Sequence, residues 1–147
     1  MVPISMFKDW MTSLKNALLG SVGTTFQKVI NLNQVAGTYD IATCADKDVE
    51  ITGLSIKMPN EICDGACTGI SIQTNDATPQ TFITQAEGVV ANLTAEALLA
   101  WPSFGSAVLL GVGKKVQLTI YGGAHGSAYN TTTTITFRQV AGTGSLV

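Results

Sequence analysis

The chain has 147 residues, 46% of them hydrophobic and only 12% charged, with a formal net charge of −2 from 8 basic and 10 acidic residues. That length suits one domain with a small appendage and can bury a core without covalent staples, while the composition excludes intrinsic disorder, which needs high charge and low hydrophobicity. No Lys/Arg cluster could neutralise a run of phosphates, so no nucleic-acid partner is expected, and no apolar run is long enough to read as a membrane-spanning helix.

Residues 4–19, ISMFKDWMTSLKNALL, read as an amphipathic helix. Phe7, Trp10, Met11, Leu14 and Leu18 recur at i, i+3, i+4, i+7 spacing and form its apolar face. Pro3 precedes the helix, and Gly20 is the expected C-cap. Lys8, Asp9 and Lys15 interrupt the apolar residues, so no signal peptide is expected. The polar face lacks the Lys/Arg excess of a membrane-surface helix, so no membrane partner is expected either. The apolar face is instead expected against its own domain or a neighbouring subunit.

From Thr24 the period changes to that of strands. Thr24–Leu32 and Thr38–Cys44 flank a loop at 33–37, with Tyr39 and Ile41 on one face. Val49–Met58 is a long strand whose inward parity switches between Ile51 and Leu54, so a β-bulge is expected at Gly53; Pro59 ends it. A loop holding the Asp64–Gly65 pair leads to strands at Gly69–Gln73 and Gln80–Thr84. Ala91–Ala100 reads as a short helix capped by Asn92 or Thr94, burying Leu98, Leu99 and Trp101 and stopped by Pro102. Ala107–Val112 is an apolar strand. Lys115–Tyr121 alternates with Val116, Leu118 and Ile120 inward, and Thr131–Val140 with Ile135 and Phe137 inward. The Thr131–Thr134 run suits an exposed strand start, and Ala141–Val147 reads as a loose tail. Seven or eight short strands without strand–helix alternation predict an antiparallel β-sandwich or barrel.

Chemistry-bearing residues are few. Cys63 and Cys67 have the spacing of half a zinc site, and Cys44 and His125 complete the Cys/His inventory. Nothing in the sequence makes the four converge, so no metal is expected; three free thiols are the default, with a Cys63–Cys67 disulfide the alternative. His125 lies in GGAHGSAY beside Ser127, with Ser106 elsewhere, but no Gly-x-Ser-x-Gly elbow exists and the histidine reads as surface decoration. Asp46 and Asp48 resemble half a calcium loop without the rest of the series. Trp101 reads as core packing, and Tyr129 as the best exposed aromatic for stacking on a sugar. No catalytic residue, cofactor or metal site is therefore assigned.

Two segments carry a resemblance. VINLNQVAGTYDIATCADKDVEITGLSIKMP, Val29–Pro59, leads from an extended strand through Gly-Thr-Tyr-Asp to a long Val/Ile strand. GKKVQLTIYGG to TTTTITFRQV, Gly113–Val140, is a closing hairpin. Their order resembles the capsid decoration (cement) proteins of tailed phages, which have a single jelly-roll domain. The resemblance implies an antiparallel jelly-roll-like β-sandwich over 24–147 with a short N-terminal helical arm over 1–23. It further implies a homo-trimer that clamps neighbouring major capsid protein subunits on the virion surface, made in the host cytoplasm. The helix face at Phe7, Trp10, Met11, Leu14 and Leu18 is the expected partner contact, gripping the shell or crossing to a sister subunit. A low-charge surface fits many identical copies in one lattice. The alternatives are a receptor- or glycan-binding module of a fibre or tail, a small hydrolase built on His125, and a minor coat protein whose helix touches an internal membrane.

Overall fold

The computed structural model describes residues 4–101, 106–140 and 142–147, and within the N-terminal helix the side chains of residues 5–14. Pro3, Pro102, Ala141 and the side chain of Leu18 lie outside the described residues. A helix, α1 (Ile4–Val22), precedes ten strands: β1 (Thr24–Asn31), β2 (Gly37–Ala45), β3 (Val49–Lys57), β4 (Gly69–Thr74), β5 (Thr81–Ile83), β6 (Leu98–Trp101), β7 (Val108–Leu110), β8 (Lys115–Tyr121), β9 (Asn130–Gln139) and β10 (Ser145–Leu146).

The strands form two antiparallel sheets. One runs β1-β9-β3-β6, with β7 on the same edge of β3 as β6, and the other runs β10-β2-β8-β4-β5. The pairings are nested: β1 with β9, β2 with β8, β3 with β6 and β7, β4 with β5. Folding one long antiparallel ribbon over itself gives this order, which is that of a jelly roll. Between the sheets lie Ile51, Ile56, Ile70, Ile72, Leu118, Ile120 and Ile135, all essentially without solvent contact. Each such side chain contributes about 1.5–3 kcal/mol on burial, which is what drives the two faces together.

Alternation decides which residues face inward, and two bulges adjust it. In β3 the register shifts between Ile51 and Gly53, as expected. Thr52 is the added residue, and Val49, Ile51, Leu54, Ile56 and Met58 all bury despite their change of parity. The second bulge, in β2 between Asp40 and Ala42, was not signalled by the alternation. Ile41 and Ala42 there are both buried although adjacent in sequence.

Four expectations are corrected. The helix runs past Gly20 to Val22, and the left-handed turn falls on Gly23 at φ +79°. Ala91–Ala100 forms a 3-10 turn at Val90–Asn92 and then strand β6. Glu96 at φ +60° breaks any helix, Met58 N–H donates to Ala97 O at 2.8 Å, and β6 pairs with β3 from Leu54 to Lys57. An open strand edge thus outcompetes a helix too short to be stable alone. Leu98 is exposed as a result, while Leu99 and Trp101 pack on the core. The threonine run is not exposed throughout: Thr131 and Thr133 are fully buried in β9, and only their neighbours face outward. Finally, the tail is not loose over its last residues. β10 pairs with Cys44 and Ala45 of β2, covers that edge, and buries Leu146.

Candidate functional site

Two features stand out once the sandwich is drawn. The first is the apolar face of α1. Phe7 and Trp10 are 56% and 58% exposed, and Met6, Met11 and Leu14 are exposed beside them. The Phe7 and Trp10 rings lie 6.1 Å apart. The helix neighbours β9, but its described large side chains do not bury there. Among the described side chains of this face, Phe7, Trp10, Met11 and Leu14 are not packed on the chain's own domain.

The second feature is a cluster built where the 58–68 and 122–130 loops meet. Gly65 takes φ +70° and passes so close to the second loop that a β-carbon would lie 2.1 Å from His125 O. Ala66 N–H donates to Ala124 O at 3.0 Å, and His125 N–H to Leu32 O at 3.1 Å. These contacts press the His125 ring inward until it is 2% exposed, stacked at 4.5 Å from the Tyr129 ring. Its Nε2 lies 3.1 Å from an Asp64 carboxylate oxygen and 3.3 Å from Ile62 O; its Nδ1 lies 3.1 Å from Ser127 O. Both ring nitrogens thus face oxygen acceptors, and the ring bridges the two loops. Tyr129 is completely buried, with its hydroxyl within 3.2 Å of both Glu61 O and Leu93 O. Burial pushes its pKa up to about 12.

The structure therefore overturns two readings. His125 is not surface decoration, and Tyr129 is not an exposed aromatic. No composition signal distinguishes a Gly-rich loop lying on the surface from one folded under a second loop. The available hint was Gly65–Ala66 itself, since close backbone approach needs glycine. The glycan-stacking alternative loses the aromatic on which it rested.

Cys63 and Cys67 lie buried in the same cluster, with their side chains as neighbours, and Cys67 Sγ lies 3.8 Å from Gly69 O. The neighbouring Cys67 and burial push the Cys63 pKa up, while Cys63, and to a lesser degree His125, bring that of Cys67 down. Cys44 does not join them. It is a free, buried thiol whose Sγ lies 3.2 Å from Lys47 O, and burial raises its pKa. The four Cys/His residues thus do not assemble, and among the described residues no three His, Cys, Asp or Glu side chains are grouped to hold a metal ion.

A histidine, a carboxylate, thiols and a hydroxyl do meet here, as a hydrolase would require. The geometry is that of a clamp. Nδ1 lies nearer the Ser127 carbonyl than its hydroxyl, at 3.1 against 3.4 Å. The ring and both thiols are buried beneath the turn rather than lining a cleft. An open groove of about 330 Å³ lies elsewhere, lined by Asp76, Thr78, Gln80, Ala107, Val108 and Leu109. Asp48 accepts from Val112 N–H at 3.0 Å, and Trp101 meets Phe82 edge-on at 5.0 Å.

No family model matches the chain, and no curated protein sequence does. Solved structures do share its fold. One is a chain of the acidic stable capsid structure of Helicobacter pylori bacteriophage KHP30. It aligns with TM-score 0.57 and 14% identity over 87% of this chain and 94% of that one. Another is a chain of the cyanophage Pam1 capsid asymmetric unit, with TM-score 0.50 and 13% identity over 81% and 86%. At these identities the likeness is one of fold.

Proposed function

We propose that this protein is a structural component of a phage capsid, a decoration subunit that stabilises the head through protein–protein contacts and catalyses no reaction. The observation that carries the reading is the near whole-chain likeness to chains in two phage capsid structures. Because 94% of the KHP30 chain is covered by 87% of this one, the two are of similar length. The counterpart in that capsid is thus a small subunit of one sandwich. The low charge of the surface fits the same role, since many like copies packed on one lattice repel little.

In this reading, residues 1–23 form an arm and residues 24–147 the body. The arm's apolar face, with Phe7, Trp10, Met11, Leu14 and Leu18, docks on the major capsid protein. Closed homo-trimers would set three such arms around each axis and satisfy more edges than a lone sandwich does. The site of action is the virion surface, with folding beforehand in the host cytoplasm.

Co-sedimentation with purified capsid shells of the phage that encodes the chain tests this. Wild-type protein is expected to saturate the shells at a fixed ratio per capsid subunit. Phe7→Asp/Trp10→Asp, altering exposed side chains only, is expected to stay folded and lose binding. Equal binding by that variant would remove the arm from the interface, and no binding by wild type would remove the capsid role.

A further inference from the structure

The dithiol beneath the 63–67 turn carries chemistry that the capsid reading does not use. Asp64, Gly65 and Ala66 are exposed, whereas Cys63 and Cys67 on either side turn inward and are each 3% exposed. Both side chains thus lie just under a surface turn, where they neighbour each other. Backbone bonds hold it there: Cys63 N–H donates to Leu93 O at 3.0 Å, Ala66 N–H to Ala124 O at 3.0 Å, and Thr68 N–H to Tyr121 O at 2.9 Å. The turn's backbone is thus held at both cysteines before any covalent bond exists between them. The two are unequal: their mutual contact lowers the Cys67 pKa and raises that of Cys63. A nucleophilic sulfur beside a resolving one is the arrangement that thiol–disulfide exchange needs. Cys44, engaged with Lys47 O in another part of the sandwich, has no such neighbour among the described residues.

We propose that Cys63 and Cys67 are an oxidisable pair, closed to an intrachain disulfide by a low-molecular-weight disulfide of the glutathione class. When the exposed 64–66 turn opens, the Cys67 thiolate attacks one sulfur of the oxidant, forming a mixed disulfide and expelling one small thiolate. Cys63 then gives its proton to solvent and attacks the Cys67 sulfur, expelling the second. Two protein thiols are oxidised and one small disulfide is reduced to two thiols. Closure replaces a hydrogen-bonded turn by a covalent one. The ring spans only five residues, so the constraint on the unfolded chain is modest; for a protein of this size it raises Tm by roughly 5 °C. The proposal stands independently of the capsid reading.

The test incubates the full native chain with oxidised glutathione at mildly alkaline pH, then alkylates it in denaturant and reads intact mass and peptide maps. The expected product has lost two hydrogens, carries one alkylated cysteine at Cys44, runs as an unlinked chain on non-reducing gels, and shows the Tm rise, reversed by dithiothreitol. Cys44→Ser is expected to close equally. Three alkylatable cysteines, a stable glutathione adduct at Cys67, or disulfide-linked dimers would each overturn the proposal.

Discussion

Replacing Gly65 by alanine tests the junction that buries His125. Two costs are separable. At φ +70° an L-residue with a β-carbon is strained by about 1 kcal/mol. The added carbon would also sit 2.1 Å from His125 O and 2.7 Å from its carbonyl carbon. Both are backbone atoms, so no rotamer change relieves the overlap and the loops must separate by about 1 Å to reach ordinary van der Waals contact. That movement lengthens the Ala66–Ala124 hydrogen bond and the Asp64–His125 contact, each a contribution of about 1 kcal/mol. The total is on the order of 3 kcal/mol, or roughly 6–12 °C in Tm for a chain of this size. Gly113→Ala is the matched control: its φ is +79°, yet nothing lies within 4 Å of the new carbon, so only the strain of about 1 kcal/mol applies. Urea unfolding of both variants supplies the comparison. A Gly65→Ala cost no greater than that of Gly113→Ala would refute the close approach of the two loops.

Other expectations follow from the core and the surface carboxylates. Leu118→Ala, emptying a fully buried position in the middle of β8, should cost about 2–5 kcal/mol in the same unfolding assay. Thr133→Val should raise stability by about 1 kcal/mol, because its buried hydroxyl has no hydrogen-bond partner among the described residues; a loss of that size would show the hydroxyl to be satisfied. Asp40 and Glu87 have pKa values held below the ordinary 3.8 and 4.5, the first by hydrogen bonds from Gln117 and Lys115, the second by Thr84 N–H and hydroxyl. Their stabilisation is present above those ordinary values and is lost as pH falls through the lowered ones. Asp40→Asn and Glu87→Gln should accordingly flatten the acid limb of a Tm–pH profile below about pH 4.5 and leave its alkaline limb unchanged.

How much of this was legible in the sequence depends on whether short-range periodicity was the deciding force. In β8, strict alternation of Val116, Leu118 and Ile120 with polar residues set the inward face, and the structure buries all three. The phase change around Gly53 gave the β3 bulge for the same reason. Leu98–Trp101 failed because four apolar residues fit a helix turn or a strand equally, and the unpaired edge of β3, distant in sequence, made the choice. The β2 bulge at Ile41 was hidden because Ala42, buried beside it, is too small to signal an inward position. His125, Tyr129 and Thr133 were misread in one way: polar or loop residues buried by contacts with elements distant in sequence leave no local trace. Of the candidate contact surface, the helix and its apolar face were readable from spacing. That Phe7, Trp10, Met11 and Leu14 remain uncovered in the folded chain is a matter of packing, which spacing alone does not encode.

In the proposed role the sandwich adheres to a shell through its helical arm. Cryo-EM of the native particle shows whether it does. Ordered density for the sandwich is expected at repeated positions outside the major capsid lattice, with Phe7 and Trp10 enclosed between it and the shell. A particle whose lattice lacks the chain, or one in which those two side chains point into solvent while the body alone makes the contact, would contradict it.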